Sequence, residues 1–292
     1  MKIRNFNKGI LSSSLGSFWW GVFGTYYFQY ITYIGVVEVV VHRSIWTSVI
    51  LLLTTTLLKK WNLFIKILKN KINFFVLIFT SILIFGNWTV WIYAVSTNKI
   101  IDASFGYFIF PILSVFFGNI FLNEKLNKKK IISILLVLIS SLYLLINLSS
   151  LPWVGFSVAL LWSVYNLLRK KINVETDIGL LIESLFILPI ALLFFYFIVE
   201  TNQNDFSLSN PSLMAIIFLT GPMTVIPLFL YVKGVELSGL GPSGMIFFIT
   251  PTAQFLLGLF YYNEEFSLNK LISFIIIWIA VSIYLKDLYE NI

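Results

Sequence analysis

The chain contains no cysteine and a single histidine, which excludes disulfides and leaves zinc, haem and iron–sulfur centres without a ligand set. Charge is scarce: 11% of the 292 residues are charged, with 13 Asp and Glu against 20 Lys and Arg. Phosphate-cradling glycine loops are missing too. Neither G-x-x-x-x-G-K-[ST] nor G-x-G-x-x-G occurs, so no such loop powers the protein with ATP. The longest polar connection, Glu200 to Asn210, is too short to fold as a domain. An enzyme embedded in a membrane would need a convergent nucleophile or metal set, and a passive channel a continuous polar lining; neither pattern is present. No residue is assigned a catalytic or metal-binding role, and no cofactor is expected.

What the chain has in excess is apolar length. Mean hydropathy is +0.91, and a hydrocarbon layer about 30 Å thick needs about 20 apolar residues per helix. Ten such runs stand out: 9 to 31, 37 to 58, 73 to 96, 102 to 122, 131 to 147, 151 to 168, 178 to 199, 212 to 232, 239 to 262 and 270 to 288. The first follows Met1-Lys2-Ile3-Arg4 and reads as a span; a signal peptide would need a small-residue cleavage site. Phe108 to Lys130 recurs at an offset of 140 residues as Phe248 to Lys270, with 7 identities in 23 positions. Chance would give roughly two. Ten spans in two repeats, 9–147 and 151–288, means five each, so the second repeat enters the membrane from the opposite side. The expected fold is an all-α integral membrane protein of two inverted five-helix repeats.

Basic residues orient it. With the N-terminus inside, Lys2, Arg4 and Lys8, the five lysines from Lys59 to Lys71, Lys125 to Lys130 and Arg169 to Lys171 all fall on one side, and the other side keeps Lys99 and Lys270. Both termini are expected in the cytoplasm. The net charge of +7 is this topology signal and implies no nucleic acid.

Function must then sit inside the spans, where ionisable groups are expensive. His42-Arg43 lies in the second span, and the residue 140 positions after Arg43 is Glu183 in the seventh. Two readings stay open: an Arg43–Glu183 pair locking the repeats together, or groups that handle substrate or protons. His42 reads either as a packing residue or as part of the same site. Asn87, Trp91 and Ala94 share a helix face, so an amide and an indole are expected to line a cavity. Asp102 suits an N-cap. Pro111 and Pro251 interrupt the fourth and ninth spans at equivalent places, as hinges beside a binding site would. Among the aromatics, Trp20, Tyr107 and Trp162 lie deep enough to line a site; Gly16, Trp20 and Gly24 form one stripe of the first span, and Gly16 and Gly118 read as close-packing positions.

With these residues in view, the chain resembles the RarD-type permeases of the EamA group, within the drug/metabolite transporter superfamily. The likeness runs through Trp20-Gly21, Glu38 with His42-Arg43 and Trp46, Gly86-Asn87-Trp88, Gly106-Tyr107-Phe108 with Pro111, Arg169-Lys170-Lys171, Ile182-Glu183 and Pro251-Thr252. The resemblance implies ten helices in two EamA repeats in a bacterial inner membrane, moving a small organic solute such as an amino acid or drug-like compound by alternating access. It leaves proton coupling and the choice of monomer or homodimer open. Three positions depart from the family pattern: Gly24 and Phe28 stand where a proline and a lysine usually follow Trp-Gly, and Phe110 replaces the usual Asn before the proline. These departures lean towards a less anionic or more apolar solute.

Overall fold

The computed structural model describes residues 2–97, 100–146, 152–172, 174–262 and 267–290. Every regular element among them is helical, as hydrocarbon requires of segments that must satisfy their own N–H and C=O groups. The first half comprises α1 (Lys2–Trp19), a π-helical turn (Trp20–Gly24), α2 (Thr25–Tyr30), α3 (Val36–Leu57), α4 (Trp61–Lys69), α5 (Lys71–Ser96), α6 (Ile100–Leu122) and α7 (Lys128–Ile146). The second comprises α8 (Trp153–Lys171), α9 (Thr176–Glu200), α10 (Pro211–Phe218), α11 (Thr220–Ser238), α12 (Leu240–Ile246), α13 (Ile249–Phe260) and α14 (Leu268–Glu290). Among the described residues, eight segments are long and apolar enough to cross a membrane. The other two apolar runs are helical but less apolar: α1 carries Ser12 to Ser14 and Ser17 and breaks at the π turn, and α8 ends in Arg169-Lys170-Lys171. The lysine-rich connection after the second run is partly a short helix, α4, whose last turn holds Lys66 and Lys69.

The halves keep a common register. Helices α3, α5, α6 and α7 begin at Val36, Lys71, Ile100 and Lys128, and α9, α10, α12 and α14 begin at Thr176, Pro211, Leu240 and Leu268, each 140 residues later. Even a cap repeats: Asn127 Oδ1 accepts from the Lys130 N–H at 3.0 Å, and Ser267 Oγ from the Lys270 N–H at 3.3 Å. Packing follows the same exchange. Helix α1 lies on α11 as α8 lies on α5, α8 on α6 as α1 on α12 and α13, and α3 on α11 as α9 on α5, while α3–α9, α6–α12 and α7–α14 pair between the halves.

Small residues permit these approaches. A Cβ on Gly16 would stand 2.9 Å from the Pro227 carbonyl oxygen, and one on Gly234 would overlap Ser13, so α1 and α11 touch along their backbones. Outward-facing side chains such as Leu142, Ile146, Phe197 and Phe260 remain exposed, an apolar surface suited to lipid. Polar ties close one end of the bundle. Lys60 Nζ donates to Asp177 Oδ2 at 2.6 Å and Glu175 Oε2 at 2.8 Å, and these carboxylates raise its pKa. The Glu124 carboxylate, past the end of α6, accepts from the Leu240 and Gly241 N–H groups at 2.7 and 2.8 Å, where Gly239 at φ +104° opens the first turn of α12.

Candidate functional site

A central cavity lies where α2, α3, α5, α6, α8 and α13 converge on the π turn. It leaves about 60 Å³ for the centres of water-sized molecules, room for about four or five waters. Its wall is largely aromatic. Trp20 stands edge-on to Trp162 with ring centroids 5.5 Å apart, Phe28 meets Trp91 at 5.3 Å, and Tyr107 meets Phe247 at 5.5 Å. Local structure explains how Trp20 and Phe28 reach it. The π turn gives the Trp20 carbonyl two donors, the backbone N–H of Thr25 and its hydroxyl at 3.1 Å, and the inserted residue re-aims the helix that follows. Gly21 lets this turn sit against Thr250 and Ala253 of α13.

The polar groups of the wall are few and mostly engaged. Asn87 Nδ2 donates to the Val158 carbonyl at 3.0 Å, Gln254 Nε2 to Thr25 Oγ1 at 3.0 Å, and Thr250 Oγ1 to the Ser17 carbonyl at 2.9 Å. Among the described lining residues, Arg43 alone brings a full charge. Its Nε donates to Thr224 Oγ1 at 2.8 Å, and its Cζ lies 4.8 Å from the ring centroids of both Phe28 and Trp88.

Five of the seven residues singled out from sequence, Trp20, Arg43, Asn87, Trp91 and Tyr107, line this one cavity. His42 and Glu183 do not. His42 is buried among Phe206, Phe195 and Trp46, with ring centroids at 4.6, 5.1 and 6.5 Å, and its Nε2 is 3.7 Å from Glu38 Oε1. It packs. Glu38 is occupied in turn, accepting from the backbone N–H groups of Asp205 and Phe206.

The expected Arg43–Glu183 pair does not form. Lys60 meets Glu175 and Asp177 while Ser48 bonds the Ser184 carbonyl, so α3 and α9 run antiparallel. Equivalent positions early in two antiparallel helices stand at opposite levels, which keeps Arg43 from Glu183. Glu183 instead accepts from Thr80 Oγ1 at 2.6 Å and Tyr165 OH at 3.0 Å, and Arg169 Nε lies 3.4 Å from its Oε1. Tyr165 stacks on Trp162 at 5.2 Å and 10°, which joins this buried cluster to the cavity wall.

The two prolines also differ. Pro111 lies inside the unbroken α6, whereas Pro251 falls in the first turn of α13, just past the break at Phe247-Phe248. There its missing N–H costs nothing. Phe110, the replacement for the family's Asn, is buried against Trp162 and Phe247 behind the cavity. Phe28, the replacement for its lysine, faces the cavity with its ring on Arg43. Ala94 packs with Ala103 and Val154. The side chain of Asp102, and Asn263 to Glu265, lie outside the described residues.

Sequence reasoning missed Gln254, Thr250 and Arg169. Gln254 carried a signal, an amide one turn after Pro251 in an apolar helix; Arg169 was hidden by its neighbours, since Arg169-Lys170-Lys171 reads as a loop cluster.

A family model described as the EamA-like transporter family matches residues 7–146. Protein RarD of Escherichia coli K12 is 29% identical over 287 residues, covering 98% of this chain and 97% of that protein. An uncharacterized transporter of Vibrio cholerae is 32% identical over 280 residues, covering 96% and 92%, and protein RarD of Salmonella typhi is 30% identical over 287 residues, covering 98% and 97%. One solved crystal structure, at 13% identity, superposes with a TM-score of 0.67 over 95% of this chain and 97% of its own, a likeness of fold alone. A helical bundle with eight segments, among the described residues, long and apolar enough to cross a membrane, an aromatic-walled cavity and these relatives agree on one identity: the chain belongs to the EamA-like transporter family, among its RarD-type permeases.

Proposed function

We propose that this permease is a secondary carrier that moves a small organic solute across the bacterial inner membrane by alternating access. Its ten helical spans form two five-helix repeats, 9–147 and 151–288, of opposite orientation, with both termini in the cytoplasm. The observation that carries the reading is the cavity itself, assembled from helices of both halves whose starts and packing repeat at a 140-residue interval. A site at the interface of two such repeats is reached from either side as one bundle rocks against the other. Trp20, Arg43, Asn87, Trp91 and Tyr107 contact the solute, and the Pro111 and Pro251 regions are where the bundles flex. One chain holds the whole site, so a monomer suffices, and a homodimer would carry two.

Counterflow in proteoliposomes tests this. Internal unlabelled solute should accelerate uptake of labelled solute, and alanine at Trp91 should abolish the acceleration. Uptake indifferent to solute on the far side would mean a channel, and chemical conversion of the solute would mean an enzyme.

A further inference from the structure

Charge in the cavity is one-sided. Arg43 is 5% exposed and forms no ion pair among the described residues. Thr224 takes only its Nε, and that hydroxyl in turn donates to the Thr220 carbonyl, so the contact is neutral. Phe28 and Trp88 flank the guanidinium plane. The terminal nitrogens are left as a fork of donors, the shape that grips a carboxylate with two parallel hydrogen bonds. The buried acids of α3 and α9 are committed elsewhere: Glu38 to the backbone of Asp205 and Phe206, and Glu183, at another level of the bundle, to Thr80, Tyr165 and Arg169. Among the described residues, no Asp or Glu lines the cavity.

A buried arginine without a counter-ion is costly, and here the missing charge matches a ligand. We infer that the solute is an organic monocarboxylate with a flat apolar body and no ammonium group. Its carboxylate takes the Arg43 fork, and its body lies among Trp20, Trp91 and Trp162. A zwitterion would bring its ammonium into a space that holds an unpaired guanidinium and no carboxylate, so amino acids fit less well than simple acids. The replacement of the family's lysine by Phe28 therefore leaves the cavity cationic through Arg43, and its ring supplies apolar surface beside the fork. The size agrees: four or five waters' worth of space, at about 30 Å³ each in the liquid, is the volume of a small organic acid. This inference rests on the carrier reading and specifies its substrate.

A matched set with one phenylethyl body separates the charges: 3-phenylpropanoate, 3-phenylpropanamide, phenethylamine and phenylalanine. Purified protein should be stabilised against heating by 3-phenylpropanoate and by none of the other three, and only 3-phenylpropanoate should support counterflow. Arg43→Lys should weaken the acid's effect at least tenfold and Arg43→Met should remove it, in variants with wild-type helical content. Equal or greater stabilisation by phenylalanine or phenethylamine would overturn the inference, as would an amide as effective as the acid or silence from all four. Counterflow of an uncharged or zwitterionic solute with the acid inert would sink the substrate class and leave the carrier standing. Stabilisation by the acid without counterflow of any solute would do the reverse.

Discussion

Glu183→Leu should destabilise the protein more than Arg169→Leu, although the two side chains face each other. Both are 2% exposed. Arg169 has little else: its Nε and Nη1 lack hydrogen-bond partners, and its Nη2 reaches the Thr176 carbonyl at 3.4 Å. Without Glu183 the guanidinium is stranded, and it cannot shed its proton. That costs about 3–5 kcal/mol, a fall in Tm on the order of 10 °C for a chain of this size. Glu183, by contrast, keeps the Thr80 and Tyr165 hydroxyls when Arg169 is lost and can take up a proton. Its penalty should be about 1–3 kcal/mol. The double variant, which buries no charge, should recover most of the loss. Gly179→Ala supplies an independent check, because its Cβ would overlap the Arg169 guanidinium and should mimic the loss of the pair. Melting curves of the purified variants decide: equal losses for the two singles, or a double variant that adds them, would refute the reasoning. Transport driven by a pH gradient in the double variant would further exclude Glu183 as a proton-coupling group.

Cysteines placed singly at Lys128 and Leu268, the 140-residue counterparts that begin α7 and α14, should react with an impermeant reagent from opposite faces of intact cells; labelling from one face would sink the inverted repeat. Glu124→Ala leaves the Leu240 and Gly241 N–H groups without their acceptor and should lower stability by about 1–2 kcal/mol in melting experiments, with Glu124→Gln losing less. Phe28→Lys puts a second cation beside Arg43 in the cavity and should shift the ligand profile towards dianionic acids in thermal-shift screens. An unchanged profile in a folded variant would place the new side chain outside the cavity.

The helical runs, the 140-residue interval and six of the fourteen residues of the cavity wall were readable from the chain because each depends on patterns along one helix. Asn87 and Trp91 share a face whatever lies opposite, and Trp20 is deep in its span in any arrangement. The Arg43–Glu183 pairing needed knowledge of how two helices run past each other, and equivalent sequence positions do not carry it. Arg169 shows the complementary failure. A basic cluster at a span end normally faces water, yet the contact of α8 with α9 near Gly179 draws the first of the three inward while Lys171 stays outside. Nor does a residue pattern announce a π turn, whose signature is a change of hydrogen-bond partner at Trp20 rather than of residue type.

That turn divides the first apolar run into two rods, α1 and α2, whose faces are set independently. One rod, α1, is keyed to α11 through Gly16 and Ser13; the other, α2, carries Phe28 to the cavity. The surplus residue between them behaves like a slack link in a chain. Were the slack to move one residue along, the residue it passes would turn by about 100° about the helix axis while the rods on either side kept their seats, one hydrogen bond being exchanged for another. The cavity wall at Phe28 and the helix contacts at Gly16 therefore need not share one helix phase, so the face of α2 is set without disturbing the seat of α1 on α11.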